Sequence, residues 1–258
     1  MPQWTIISRQ QHASARYLPR QGYNHVGKQI ITPVLLAELP KLINQYVLGF
    51  VADGQKFLAV ALLGIEQDRN LYVNHDGRWI GDYVPAYVRG YPFALSPDKQ
   101  GQLVLCVDAD QLTKDVNGQA LFDDDSGEPT EQITKTLEFL HQCDADKRRT
   151  QAAVNALQQA GVLQPWELAF TPGEGEKAKQ VEGLYRVDER VLNTLDETAY
   201  AELKGAPMTL AYAHLFSVQQ QRQLTERVKY HLQYARKEIP EDLDRFFEDD
   251  DDLAFSFD

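Results

Sequence analysis

Residues 46–65, YVLGFVADGQKFLAVALLGI, hold two apolar runs of strand length, Tyr46–Ala52 and Lys56–Ile65, on either side of Asp53-Gly54. An Asp-Gly pair tolerates the positive φ of a tight turn, so the stretch predicts an antiparallel β-hairpin. Downstream, Asn70–Asn74 (NLYVN) reads as another short strand, closed by Asp76-Gly77, with the sheet continuing through Arg78-Trp79-Ile80. Gln102–Val107 (QLVLCV) alternates poorly, the pattern of a strand buried on both faces. Upstream, Pro33–Tyr46 can open a short helix that Pro40 limits.

The second half turns helical. Asp123–Pro129 (DDDSGEP) is a turn followed by a helix start, with Pro129 suited to the first helical position and acids near the positive end of the dipole. Ile133, Leu137 and Leu140 repeat at helical spacing, a charged middle (Asp144–Arg149) follows, and Val154, Leu157 and Ala160 resume the stripe before Gly161. One helix or two fits this pattern. Trp166–Phe170 and Gln180–Val187 read as strands around the polar loop Thr171–Lys177, and Leu192–Leu203 and Leu210–Ala235 as helices, the latter with Leu224, Val228, Leu232 and Ala235 on one face. The expected fold class is mixed α+β, with a mainly antiparallel sheet in the first half and helices concentrated in the second.

A 258-residue chain with 43% hydrophobic and 25% charged residues can bury its own core without disulfide or metal staples. Cys106 and Cys143 have neither disulfide-framework nor zinc spacing, which fits a reducing compartment. Met1–Gln21 lacks the order of a signal peptide, and the longest apolar run, Phe57–Ile65, is too short to span a bilayer. The expectation is a cytoplasmic protein without a membrane span. Of the net charge of −12, residues 241–258 carry −8, from nine acids against Arg245, so the other 240 residues carry −4. With no basic run to neutralise phosphates, nucleic acid is not an expected partner.

Catalytic signatures are missing: there is no Gly-x-Gly-x-x-Gly, no Walker loop and no Gly-x-Ser-x-Gly elbow. The six histidines, His12, His25, His75, His141, His214 and His231, show no metal-ligand spacing and read as surface or satisfied core residues. Asp123, Asp125 and Gly127 make half a calcium loop, but its twelfth position is Thr134 where a bidentate glutamate belongs, which leaves a turn and cap. No catalytic residue, cofactor or metal site is assigned.

Two stretches stand out. His75–Phe93 (HDGRWIGDYVPAYVRGYPF) sets aromatics and arginines among glycines and prolines, a shaped loop rather than a regular element. It is either a buried aromatic corner, the commoner outcome, or a pocket for a planar or anionic ligand made by Arg78, Trp79, Tyr83, Tyr87, Arg89 and Tyr91. The tail, residues 241–258, joins Asp249, Asp250, Asp251 and Asp252 to Leu253, Phe255 and Phe257. Such a segment is either a solubilising tail or a disordered contact whose acids steer towards a protein partner with a basic apolar groove while its aromatics anchor there.

Ordered motifs carry a resemblance across Trp4–Thr225. They are ELP (Glu38–Pro40), GRWIGDYVPAYVRGYPF (Gly77–Phe93), LCVD (Leu105–Asp108), LFDDDSGEPT (Leu121–Thr130), TQAAVNALQQAGVLQPW (Thr150–Trp166), VEGLYRVDE (Val181–Glu189) and LAYAHLFS (Leu210–Ser217). In these the chain resembles the bacterial SapC family. The resemblance implies one domain, with residues 1–128 as its strand-rich half and 129–240 as its helix-rich half; the tail lies outside the pattern. It implies association with a surface-layer locus and gene neighbours such as tryptophan-halogenase-like flavoproteins, but no established catalytic residues. The first expectation is therefore a non-catalytic accessory or binding protein that docks partners through its tail. An enzyme or small-ligand binder acting beside such a flavoprotein, with its pocket in residues 77–93, is the alternative, and a surface-layer-associated protein is the third reading.

Overall fold

The computed structural model describes residues 2–66, 68–171 and 179–238. The loop expected at Thr171–Lys177 lies outside them beyond Thr171, as do the whole 241–258 tail and the side chain of Ala235. The architecture is α+β: antiparallel sheets lie mainly in the first half and long helices in the second.

The hairpin forms as expected from β4 (Leu48–Asp53) and β5 (Lys56–Leu62), with Asp53 paired to Lys56. Its two-residue turn is therefore Gly54-Gln55, one position later than the sequence implied, and Gly54 supplies the positive φ at +61°. The pair is the centre of a five-stranded sheet ordered β10-β13-β4-β5-β3, with β3 at Ile31–Pro33, β10 at Leu163–Pro165 and β13 at Leu184–Val187. All its pairings are antiparallel. A second sheet joins β1 (Trp4–Ile6), β7 (Leu103–Asp108) and β6 (Phe93–Pro97) in that order. Two small sheets complete the set: β2 (Arg16–Tyr17) between β8 (Leu112–Thr113) and β9 (Gln119–Ala120), and β11 (Leu168–Phe170) with β12 (Lys179–Val181).

The question of one helix or two resolves to one, α4 (Glu131–Gln159), 29 residues long. Thr130, not Pro129, opens it: the Thr130 side chain accepts the Ile133 N–H, so Pro129 stands before the cap. α4 is a strut between two cores. Ile133 joins a small cluster with Phe93, Val107 and Leu121, while Ala153, Val154 and Leu157 enter the large one with Leu42, Phe50 and Leu62. The same helix carries buried polar groups that are used. Thr150 Oγ1 accepts the Leu36 N–H at 3.0 Å and Asp146 Oδ2 the Ala37 N–H at 2.8 Å, which caps the 3-10 turn Leu36–Glu38. α2 (Leu39–Leu42) follows that turn with Pro40 in its first turn, so this proline starts a helix rather than limiting one.

Other boundaries depart from the sequence reading. Asn70–Asn74 is a turn, not a ladder strand; only Val73 pairs, as an isolated bridge to Trp79, because Asn70 spends its amide on Val26 and Tyr72 backbone. The run Gln180–Val187 breaks between β12 and β13 at Gly183, where φ is +76°. Leu192–Leu203 is two helices, α5 (Glu189–Asn193) and α6 (Glu197–Glu202), because the Asp196 side chain caps a new start by accepting the Ala199 N–H. Gln102–Val107, read as buried on both faces, is half-buried along its first part and buried only from Cys106.

The final helical region begins at Ala206 and is interrupted by a 3-10 turn, giving α7 (Ala206–Ser217) and α8 (Gln221–Glu238). α7 closes the sheet where β13 runs out. β13 pairs with β4 at Phe50 and Val51, which leaves the Leu48 backbone on that side without a strand partner. Ser217 Oγ accepts the Leu48 N–H at 3.0 Å, and His214 Nδ1 lies 2.9 Å from the Leu48 carbonyl. Two side chains of one helix thus satisfy both backbone groups of a buried residue. Among the described residues no helix is long and apolar enough to cross a membrane.

Candidate functional site

Residues 75–93 fold as a loop fastened at several points. Gly77 takes φ +73° in a turn whose Asn74 side chain accepts the Arg78 N–H. Trp79 Nε1 donates to Tyr46 Oη at 3.1 Å and to the Tyr83 carbonyl at 3.2 Å, and Tyr46 Oη also donates to that carbonyl. The Tyr72 ring stacks on both Tyr46 and Trp79, and Arg227 caps it from α8 with its guanidinium 4.1 Å from the ring centre. Trp79 therefore belongs to the packed corner.

Glu38 anchors the next segment. Its Oε1 accepts the Tyr83 hydroxyl at 2.9 Å and the Ala86 N–H at 2.6 Å, while Oε2 is buried with no partner among the described residues. Burial raises the Glu38 carboxyl above its ordinary range despite these bonds and the nearby Arg89. Arg89 donates to Tyr83 Oη at 2.9 Å and lies over the Tyr83 and Phe139 rings. Burial and Glu38 push the Tyr83 hydroxyl up to about 12. Arg78 is exposed, and its guanidinium has no partner among the described residues.

The short helix α3 (Ala86–Arg89) and the cis Tyr91-Pro92 bond then turn the chain into β6. Tyr91 Oη donates to Asp108 Oδ2 at 2.8 Å, and Asp108 Oδ1 accepts the Gln3 N–H at 3.0 Å, which ties β1 to the loop. The Tyr91 ring stacks face to face on His25, 3.8 Å between centres and 13° apart. Burial, then Asp108, push Tyr91 up to about 12. Burial and the Arg20 charge hold His25 down at about 4, so its imidazole is neutral at pH 7. Its Nε2 is buried and finds no partner among the described residues.

Here a cavity of about 290 Å³ opens. Its lining includes Trp4, His25, Tyr87, Tyr91 and Phe93, and α4 contributes Leu140, Cys143, Asp144 and Lys147. The lining is mainly apolar, and burial pushes the Cys143 thiol up to about 11, so it presents S–H rather than thiolate. Tyr87 and Lys147 also line a second cavity, of about 400 Å³, that runs along α4 past Val34, Lys56 and Thr150. Volumes of this order sit at the lower end of those used for small ligands. Among the described residues no group of three or more His, Cys, Asp or Glu side chains could hold a metal ion.

Of the six loop residues singled out from sequence, Tyr87 and Tyr91 line the cavity, Trp79 and Tyr83 brace the corner behind it, Arg89 bridges Tyr83 and α4, and Arg78 stands apart. His25, Cys143 and Lys147 were not singled out. A signal for the last two exists: Leu140, Cys143, Asp144 and Lys147 fall on one helical face once α4 is known to be continuous. Nothing local in the sequence marks His25. Residues 249–257, the expected partner contact, lie outside the described residues.

The SapC family model matches residues 7–224, which contain every cavity residue except Pro2 and Trp4. The chain belongs to the SapC family. No curated protein and no solved structure matches it. Within the SapC match, Gly77–Phe93 supplies Trp79 and Tyr83 to the corner and Tyr87, Tyr91 and Phe93 to the cavity lining.

Proposed function

We propose that this SapC-family protein is a small-molecule binding protein whose ligand occupies the cavity between Tyr87, Tyr91, His25 and α4. The carrying observation is a mainly apolar cavity lined by the rings of Trp4, Tyr87, Tyr91 and Phe93 and by the neutral imidazole of His25. An apolar ligand body that fills this cavity is removed from water together with the aromatic lining. The corner behind the cavity is fastened through Glu38, Trp79 and Tyr46, so the walls are held in place before any ligand arrives.

The test uses N-phenylnaphthylamine, an uncharged apolar fluorophore. The full chain is expected to bind it saturably at one site, and Ala94→Phe or Cys143→Phe, which fill the cavity, to abolish the signal with unchanged circular dichroism and melting. Equal binding by the filled variants, or no saturable binding at all, overturns the reading.

A second reading is favoured by residues 249–257, in which four aspartates precede Leu253, Phe255 and Phe257. It makes the chain a cytoplasmic, non-catalytic accessory that docks a basic apolar groove of a partner protein.

A further inference from the structure

We propose that the ligand is an amphipathic anion: its apolar body fills the His25 cavity and its anionic group is held by Lys147, where that cavity meets the second one. The proposal rests on the ligand-site reading above and adds the chemistry of the molecule. Lys147 is exposed and, together with Tyr87, lines both cavities, so it stands on the wall that they share.

The neighbouring acids are already engaged. Asp144, on the first cavity's wall, pairs with Arg148 at 3.0 Å. Asp146 accepts the Ala37 N–H and pairs with Arg149 at 3.4 Å, and Glu38 holds Ala86 and Tyr83. Lys147 makes no ion pair or hydrogen bond among the described residues. Neither does Lys56, which lines the second cavity with Asp53 as the only carboxylate beside it. In the second cavity's lining Lys56 and Lys147 stand against Asp53, while in the first Lys147 stands against Asp144, which Arg148 already pairs. Cys143 adds no opposing charge, because burial keeps its proton on at neutral pH.

Such a junction selects one class of molecule. An uncharged apolar ligand would leave the ammonium unused, and a cation would meet it as a like charge. An anion gains charge-assisted hydrogen bonds from Lys147. The lysine stem can lie along the apolar rim while its head meets the anion.

The experiment compares two fluorophores that share one apolar body, anilinonaphthalene sulfonate and uncharged N-phenylnaphthylamine, on the full chain. Lys147→Gln is expected to weaken sulfonate binding about tenfold and to change the uncharged probe less than about twofold. Lys56→Gln should weaken only the sulfonate, by a smaller factor, and added salt should do the same. If Lys147→Gln leaves the affinity ratio of the two probes unchanged while Ala94→Phe still abolishes both, the ligand site stands and the anion assignment is overturned. If both probes ignore Ala94→Phe, the ligand site falls and this proposal falls with it.

Discussion

Replacing His214 by glutamine tests how α7 is joined to the sheet. The imidazole is 1% exposed, packs against Phe50 and Trp166, and its Nδ1 bonds the Leu48 carbonyl. A carbonyl only accepts, so Nδ1 carries the proton and Nε2, which is buried with no partner among the described residues, carries none. Protonating Nε2 would bury an unpaired charge, and burial therefore lowers the histidine from 6.5 to about 4.

Because the folded value lies below the unfolded one, His214 contributes full stability above about pH 6.5 and loses it as pH falls towards about 4. At pH 5 the unfolded chain has gained roughly 1.5 pK units of protonation advantage, about 2 kcal/mol, rising to about 3 kcal/mol near pH 4. His214→Gln keeps a side-chain N–H that can reach Leu48 but does not titrate. It should be less stable than the parent by about 1–2 kcal/mol at pH 7, from lost ring packing. At pH 5 that deficit should close by about 2 kcal/mol. Urea unfolding followed by far-ultraviolet circular dichroism at the two pH values measures the difference, and the shifts at His25 and His231 cancel because both proteins share them. A deficit equal at both pH values would refute a buried neutral His214.

Glu38 carries the opposite sign: its carboxyl is raised, so its ionisation costs stability as pH climbs above the ordinary carboxylate range, and the deficit of Glu38→Gln against the parent should shrink between about pH 5 and pH 7.5. The same urea titrations check it, and a deficit that grows with pH would contradict burial as the dominant influence on that group. For the tail, ending the chain at Pro240 should leave the melting temperature unchanged and remove a protein partner from affinity capture at matched expression; identical capture by both forms would rule the tail out as a contact.

How much was legible follows from the range over which each feature is encoded. The β4–β5 hairpin needs only the residues that form it and the glycine between them, and it appears with its turn displaced by one position. α4 was visible as two hydrophobic stripes but not as one helix, because Asp144–Arg149 reads as a break until Asp146 and Thr150 are seen capping Leu36–Glu38. Asn70–Asn74 has strand composition, yet the Asn70 side chain takes the Tyr72 N–H and folds the run into a turn. The aromatic loop could be located and both of its readings stated. Its division into a braced corner and a cavity wall depends on Glu38 and Asp108, which reach it from distant strands and turns. His25 joins the site only through tertiary stacking on Tyr91, 66 positions away.

The pairing of β4 with β13 also sets a schedule for synthesis. Val51 and its partner Leu184 are separated by about 130 residues. At a ribosome speed of roughly 5–20 residues per second, the free edge of LGFVAD waits on the order of ten seconds before its neighbour has even been made. During that interval a hairpin rich in valine, leucine and phenylalanine offers unpaired backbone to any nascent chain nearby. Yield of this protein in a cell should then depend less on its final stability than on whether a chaperone shields residues 48–53 until the second half arrives.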